Sequence, residues 1–395
     1  MDIDALKARA AQAVDACAPE LLDLSLRIHA HPEVAFHETQ ACAWLAAWLR
    51  GRRFDVTTGI AGLETAFRAV AGAGQPAVAI IAEYDALPGI GHGCGHNIIA
   101  TAAIGAGAAV RSVIDEVGGA IQVIGTPAEE VHGGKAIMIR EGAFVGLDAA
   151  MMTHPGTHDS VLTKALACAE VAVRYVGREA HAAAQPERGI NALEALIIAF
   201  NAVNSLRQHI RRTARIHGII THGGDAPNIV PALATASFMV RAEDDDYLEE
   251  LKARVEDCFE AGALATGARL ELRWNPNQYA AMRTNAVLAE AHRRNLATVG
   301  RHVPADDVPR PLGSTDMGNV SAIMPAIHPS IAIAPPDVNG HSRAFATCAA
   351  SDAGQRAVID GAKALAMTAI DVLADDELRA AMRAEFAAGM PPVKP

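Results

Sequence analysis

The first half of the chain alternates short, continuously apolar runs with stretches of helical periodicity. PAVAIIAEY at 76–84, AIQVIG at 120–125 and DAAMMTH at 148–154 are apolar almost throughout and end in turn or charged residues. Such runs, without polar alternation, predict strands buried on both faces of a mostly parallel sheet. Between them, 97–115 and 134–142 carry helical patterns. Repeated strand–helix succession predicts an α/β core with helices on both faces of the sheet.

From about 168 the pattern changes. ACAEVAVRYVG reads as a strand, INALEALIIAFNAVNSLRQHI as a long helix with an apolar face, and IHGIITHGG and ALATASFMVRA as two further strands. A second helix, DDYLEELKARVEDCFEAGAL, leads to a last strand, ARLELRW. The order β-α-β-β-α-β is that of a ferredoxin-like α+β unit. The first type of pattern then resumes and runs to a long helix near 351–374. The expectation is a core formed by 1–167 and 279–395, interrupted by an inserted domain at 168–278.

Charge removes several functions. Lys and Arg total 34 against 45 Asp and Glu, a net charge of −11, and aromatic residues make up 4%. A nucleic-acid or anionic-membrane surface needs clustered positive charge, which this balance argues against. The N-terminus, MDIDALKARAAQAVDACAPE, reads as an acidic amphipathic helix without the basic start and apolar run of a secretory signal. No uncharged apolar stretch reaches the ~18 residues a spanning helix needs. Six scattered cysteines fit reduced thiols in a cytoplasm better than a disulfide framework.

Three motifs carry chemistry. GIGHGCGHN at 89–97 puts Cys94 between two histidines on a glycine-loosened backbone. A dinucleotide fingerprint fails there, because counting from Gly89 or Gly91 the third glycine falls on Cys94 or His96. A thiolate and an imidazole two residues apart can face one pocket as metal ligands. TPAEEVHGG places Glu129 and Glu130 just past one buried strand, and His154 follows another. Sites in open α/β sheets form beyond the carboxyl ends of strands, where these pieces coincide. Hydrolysis with two ions needs several ligands and one further carboxylate that moves the proton of water. Adjacent glutamates can divide those roles.

The order EYDALP, GHGCGHN, PAEE, THPG, GREAHAAAQPERGINALEA and a late NGHS resembles the di-metal aminoacylase and glutamate carboxypeptidase family of metallopeptidases. Within it the chain is similar to the amidohydrolase branch of hippurate and indole-acetyl-amino-acid hydrolases. The resemblance covers nearly the whole chain, inserted region included. It implies two divalent metal ions per subunit, with Cys94, His96, Glu130, His154 and His341 as ligands and Glu129 as general base. Asp85 is implied as a carboxylate that orients the ligands. A thiolate favours zinc, whereas carboxylates and imidazoles accept manganese or cobalt. His341 rests on the resemblance alone, since by spacing His328 in AIHPS is an equal candidate.

In the inserted region the resemblance makes His181 a lid histidine that reaches the substrate carbonyl, commonly from the partner subunit of a homodimer. It makes Asn228 and Arg241 the residues that grip the substrate's free carboxylate, a task an arginine fork suits. One position departs from the branch: Asn97 stands where many members have Asp. With GSTDMGNVS at 313–321, that variant resembles the p-aminobenzoyl-glutamate hydrolase and basic-dipeptide hydrolase subgroup.

The expected activity is hydrolysis of the amide of a small N-acyl or aminoacyl amino acid. The alternative is a dipeptidase for basic or β-aminoacyl dipeptides. A catalytically inactive metal-binding scaffold would lack a ligand or the base, and here every such position is filled.

Overall fold

A computed structural model describes residues 1–308, 310–311 and 313–389. The chain divides into two compact units, one formed by the residues up to Lys164 together with those from Met282 onward, the other by Ala165–Ala281.

The first unit opens with α1 (Ile3–Ala30), α2 (Thr39–Arg50), β1 (Asp55–Thr58), β2 (Phe67–Gly72), β3 (Ala77–Glu83), α3 (His96–Arg111), α4 (Ile114–Val117) and β4 (Ala120–Thr126). It continues through α5 (Gly134–Arg140), β5 (Ala149–Met151), β6 (His154–Gly156) and β7 (Thr163–Lys164). The second unit contains β8 (Ala167–Val176), α6 (Ala192–Leu206), β9 (Arg215–His222), β10 (Leu233–Ala242), α7 (Asp245–Thr266) and β11 (Arg269–Trp274). The first unit then resumes with α8 (Ala286–Thr298), β12 (Arg310–Pro311), α9 (Met317–Ile323), β13 (Ala326–Ile327), β14 (Ser330–Ala332), α10 (Arg343–Ala349), α11 (Asp352–Ala374) and α12 (Asp376–Ala388).

The main sheet runs β1-β2-β4-β3-β5-β13. Its β4-β3-β5-β13 half is parallel and its β1-β2-β4 edge antiparallel. Every residue of β3 is buried, as expected of a central parallel strand. Helix α3 is apolar nearly all round and packs between the sheet and α1. Two glycines set that closeness. A Cβ on Gly107 would lie 2.3 Å from the Val123 side chain in β4, and one on Gly105 would lie 2.7 Å from Leu21 in α1.

Two expectations change in detail. The helix read over 97–115 ends at Arg111, because Ser112 turns its N–H and hydroxyl back onto the carbonyls of the last turn, and α4 follows as a separate piece. The run 148–154 is likewise two elements. Its last residue, His154, opens β6, which pairs with β14 outside the main sheet.

In the second unit the antiparallel sheet has the order β11-β8-β10-β9, with α6 and α7 packed together on it around Phe238, Phe259 and Leu248. This is the ferredoxin-like arrangement. Among the described residues no helix is long and apolar enough to cross a membrane.

Candidate metal centre

The carboxyl ends of β3 and β4 lie side by side, Glu83 opposite Thr126, so the turns that follow them open into one place. After β3 the chain reaches Asp85, and the glycine-rich loop then delivers Cys94 and His96 at the start of α3. Gly95 has φ +78°, and a Cβ there would press within 2.8 Å of Pro155. After β4, Ala128 takes φ +59° and turns the chain so that Glu129 and Glu130 enter the same space. That loop closes tightly on itself: a Cβ on Gly134 would fall 1.8 Å from the Pro127 carbonyl oxygen.

The donors converge. Among the described residues, ligand atoms of Cys94, His96 and His154 lie within 4.8 Å of one another, as do those of Cys94, Glu130 and His341, and those of His96, Glu129 and Glu130. Cys94 Sγ is 3.4 Å from His154 Nε2 and 3.5 Å from His341 Nε2, and His341 Nε2 is 3.4 Å from Glu130 Oε2. His341 arrives from far along the chain, and its own N–H bonds to the Gly93 carbonyl at 2.9 Å. His328 instead stacks behind His154 at 5.0 Å, away from these donor groups.

Asp85 couples two of these residues. Its Oδ1 accepts from His96 Nδ1 at 3.0 Å, and its Oδ2 accepts the Glu130 N–H at 3.0 Å. With its proton on Nδ1, His96 turns the Nε2 lone pair toward Glu130. His154 Nδ1 is fixed in the same way by the Pro155 carbonyl at 2.7 Å, leaving Nε2 toward Cys94.

Burial and like charge shape the acid–base properties. Burial, then Glu83, Glu130 and Asp316, raise Glu129 well above the ordinary carboxyl range. Burial also raises Glu130, against the pull of His96 and His341. At Asp85 burial opposes ionisation, but His96 and the Glu130 N–H overcome it and lower the carboxyl. Burial likewise opposes charge on His96, and Asp85 raises it regardless. Burial holds His154 well below its usual value and His328 at about 4, so both rings are neutral at pH 7. Burial and Glu130 push the Cys94 thiol up.

The side chains fit divalent metal. His96 Nε2 and Glu130 Oε1 are buried with no hydrogen-bond partner. Such atoms are costly in a folded chain, and coordination would satisfy both. A bound cation would also stabilise the carboxylates and deprotonate the thiol.

Asn97 does not face the donors. Its Nδ2 donates to Ser25 Oγ at 2.9 Å and to the Ala349 carbonyl at 3.3 Å, tying α3 to α1 and α10. In the second unit, His181 Nδ1 accepts the N–H groups of Ala183 and Ala184, both at 3.2 Å. That assigns the ring proton to Nε2. Asn228 lies beside it, its carbonyl accepting the Ala182 N–H at 3.0 Å. Arg241 stands eight residues along β10 from Leu233, roughly 26 Å at the rise of a strand, and it is Leu233 that pairs with Val176, five residues before His181. The structure therefore pairs His181 with Asn228 and leaves Arg241 apart.

Three buried charged residues at the centre escape a reading of the sequence alone: Glu83, Lys135 and Asp316. Glu83 ends an otherwise apolar strand and Asp316 lies in GSTDMGNVS, so a signal existed for both. Lys135 carried none beyond its place after HGG.

Residues 167–266 match the peptidase dimerisation domain family. Xaa-Arg dipeptidase of Mus musculus is 37% identical over 408 residues, spanning 98% of this chain and 93% of that protein. One of the two subunits of p-aminobenzoyl-glutamate hydrolase from Escherichia coli K12 is 35% identical over 284 residues, 67% of this chain and 59% of that one. In fold, the chain resembles an aminobenzoyl-glutamate utilization protein from Klebsiella pneumoniae, with TM-score 0.73 at 19% identity over 93% of this chain and 98% of that one. It also resembles a dinuclear metal-binding peptidase of the M20 family from Bacillus subtilis, with TM-score 0.70 at 19% identity over 91% and 99%. A relationship that runs through both units and a donor cluster built for divalent metal place the chain in the M20 family of metallopeptidases and amidohydrolases, as a metal-dependent amide hydrolase.

Proposed function

We propose that this hydrolase cleaves the amide between an acyl or aminoacyl group and an amino acid with a free carboxylate, with Glu129 as general base. Cys94, His96, Glu130, His154 and His341 would hold two divalent ions, zinc first because of the thiolate. The observation that carries the reading is the convergence of these donors in overlapping clusters, with Glu129 beside His96 and Glu130 and with Asp85 orienting those two together. Two divalent ions bound there would acidify water and polarise the scissile carbonyl.

The chain's own residues do the rest. Glu129 accepts the proton of the attacking water at a carboxylate oxygen and returns it to the departing amine nitrogen. Its raised affinity for a proton suits a group that must hold one between the two steps. His181 donates Nε2–H to the oxygen that gains charge, while Asn228 and Arg241 grip the free carboxylate. Arg241 is too far along β10 from the His181–Asn228 turn for all three of one chain to hold one small substrate. We infer that the region 168–278 acts as a lid and dimerisation domain of a homodimer in which two subunits contribute to a site.

For substrate, the Xaa-Arg dipeptidase likeness spans the chain more fully than the p-aminobenzoyl-glutamate one, which favours dipeptides with a basic C-terminal residue. The test is a panel of Xaa-Arg and Xaa-Lys dipeptides, p-aminobenzoyl-glutamate and N-acetyl amino acids. Each is given to apo-protein reconstituted with zinc, manganese or cobalt, and released amine is measured. Fastest release from Xaa-Arg is expected. Release from none of them with any metal would overturn the proposal.

A further inference from the structure

Glu83 and Asp85 are two residues apart at the end of an extended strand and both address His96. Asp85 Oδ1 takes a hydrogen bond from Nδ1 at 3.0 Å. Glu83 Oε2 lies 3.7 Å from Nε2, on the other side of the ring, and Glu130 Oε1 lies at the same 3.7 Å. These contacts are too long for hydrogen bonds. Glu83 Oε2, His96 Nε2 and Glu130 Oε1 are all buried and none has a hydrogen-bond partner. With the His96 proton on Nδ1, both carboxylate oxygens face the Nε2 lone pair. In that tautomer a bound cation is what makes the arrangement favourable. Ligand atoms that share one zinc ion at bond lengths of about 2.0–2.2 Å lie roughly 3–4 Å apart, the spacing each of these oxygens keeps from Nε2.

The other oxygen of Glu83 is held. Lys135 Nζ lies 2.6 Å from Glu83 Oε1 and 2.5 Å from Asp316 Oδ1, and the Lys135 N–H bonds Asp316 Oδ2 at 2.9 Å. All three side chains are fully buried. Lys135 starts α5, directly after the loop that bears Glu129 and Glu130, and Asp316 precedes α9. The ammonium thus joins β3, α5 and α9, and its ion pair holds the Glu83 carboxylate beside His96. One ammonium does not balance the cluster. Glu83, Asp85, Glu129 and Asp316 are buried carboxyl groups near it, so the cluster holds more acid than one ammonium can neutralise.

We propose that Glu83 is a sixth metal-binding side chain, offering Oε2 to the ion held by His96 and Glu130, with Lys135 and Asp316 as the positioning residues that fix its carboxylate. The proposal rests on the reading of the centre as a two-metal site. A simpler role for Glu83, as counter-ion to Lys135, predicts a different response to substitution.

The test counts zinc per chain by mass spectrometry at graded free zinc for the full-length protein, Glu83→Gln and Glu83→Asp, alongside melting temperatures. Glu83→Asp keeps the charge beside Lys135 but is one methylene too short to reach the ion as well. The parent protein is expected to bind two ions. Both variants are expected to bind one as before and the second at least about 10-fold more weakly, with Glu83→Asp keeping its zinc-free melting temperature. Should Glu83→Gln fail to fold, Glu83→Asp decides alone. Parent-like affinity for both ions in Glu83→Asp would overturn the proposal and leave Glu83 as a counter-ion only. A parent protein that binds no divalent metal would instead bring down the two-metal reading and this proposal with it.

Discussion

Glu38 and Ala128, ninety residues apart in the chain, are joined by a buried hydrogen bond in which Glu38 Oε1 accepts the Ala128 N–H at 2.9 Å. The other oxygen, Oε2, accepts from Thr65 Oγ1 at 2.9 Å. Ala128 is the residue held at φ +59°, an uncommon conformation for anything but glycine, immediately before Glu129. The bond therefore helps fix the turn that aims the proposed base. Glu38 sits at the start of α2, so a helix that carries none of the candidate donors takes part in setting their geometry.

That carboxyl is also a source of pH dependence. Burial above all, with Asp85 adding, raises Glu38 from 4.5 to about 7. The folded chain then binds this proton more tightly than the unfolded chain does. The resulting stabilisation is complete below the unfolded pKa of ~4.3 and is lost as pH rises through about 7. Glutamine can accept the Ala128 N–H and donate to Thr65 without titrating. The melting temperature of Glu38→Gln, relative to the parent, should therefore rise between pH 5 and pH 8, by the equivalent of at most about 3 kcal/mol. Thermal unfolding across that range checks it, and a constant difference would mean that Glu38 does not titrate there.

Glu129→Gln should keep both metal ions and the fold but lose about 10²–10⁴-fold in kcat, the usual contribution of a positioned base. Metal content and steady-state kinetics on the same preparation separate the two glutamates. Loss of metal in this variant would exchange the roles of Glu129 and Glu130.

The local part of this centre could be read from sequence, and the long-range part could not. Cys94 and His96 are two residues apart on glycines, and Glu129 with Glu130 follows an apolar strand, so local spacing made them candidates and the family resemblance supplied their roles. His341 joins the cluster through a backbone bond to Gly93, 247 residues from its neighbour Cys94, and no spacing rule reaches that far. Lys135 and Asp316 are 181 residues apart and meet only through folding. Glu83 was hidden for another reason: an acid ending a strand looks like the first residue of a turn. The fold was legible because each buried strand is continuously apolar and each helix of the second unit alternates with strands. The break after Arg111 was not, since the apolar pattern runs on past it into α4.

Asn97 offers a test of why an amide occupies this position. Its Nδ2 supplies hydrogen to Ser25 Oγ and the Ala349 carbonyl, neither of which belongs to the metal donors. Aspartate would set a carboxylate oxygen against the Ala349 oxygen and remove a buried donor. Asn97→Asp should therefore destabilise the protein by about 1–3 kcal/mol while metal content stays at the parent level. Denaturant unfolding and metal analysis give the two readouts. A variant of unchanged stability and altered metal affinity would return this position to the ligands.

The last prediction concerns His181. Its Nδ1 is occupied by two backbone N–H groups, so Nε2 carries the proton in the neutral ring and stands ready as a donor. A donor to a developing oxyanion is worth roughly 2.7–4 kcal/mol, and His181→Ala should lower kcat about 10²–10³-fold. Among the described residues none of the candidate donors lies in the second unit, so metal content should not change. If His181 acts on a partner's site, mixing His181→Ala with Glu129→Gln should restore part of the activity. One site of such a mixed dimer has an intact Glu129 from one chain and an intact His181 from the other. Subunit exchange is verified in parallel with differently tagged chains. Activity restored in step with exchange establishes action between subunits, and exchange without restoration assigns His181 to its own chain. An unchanged kcat in His181→Ala alone would remove the residue from the reaction.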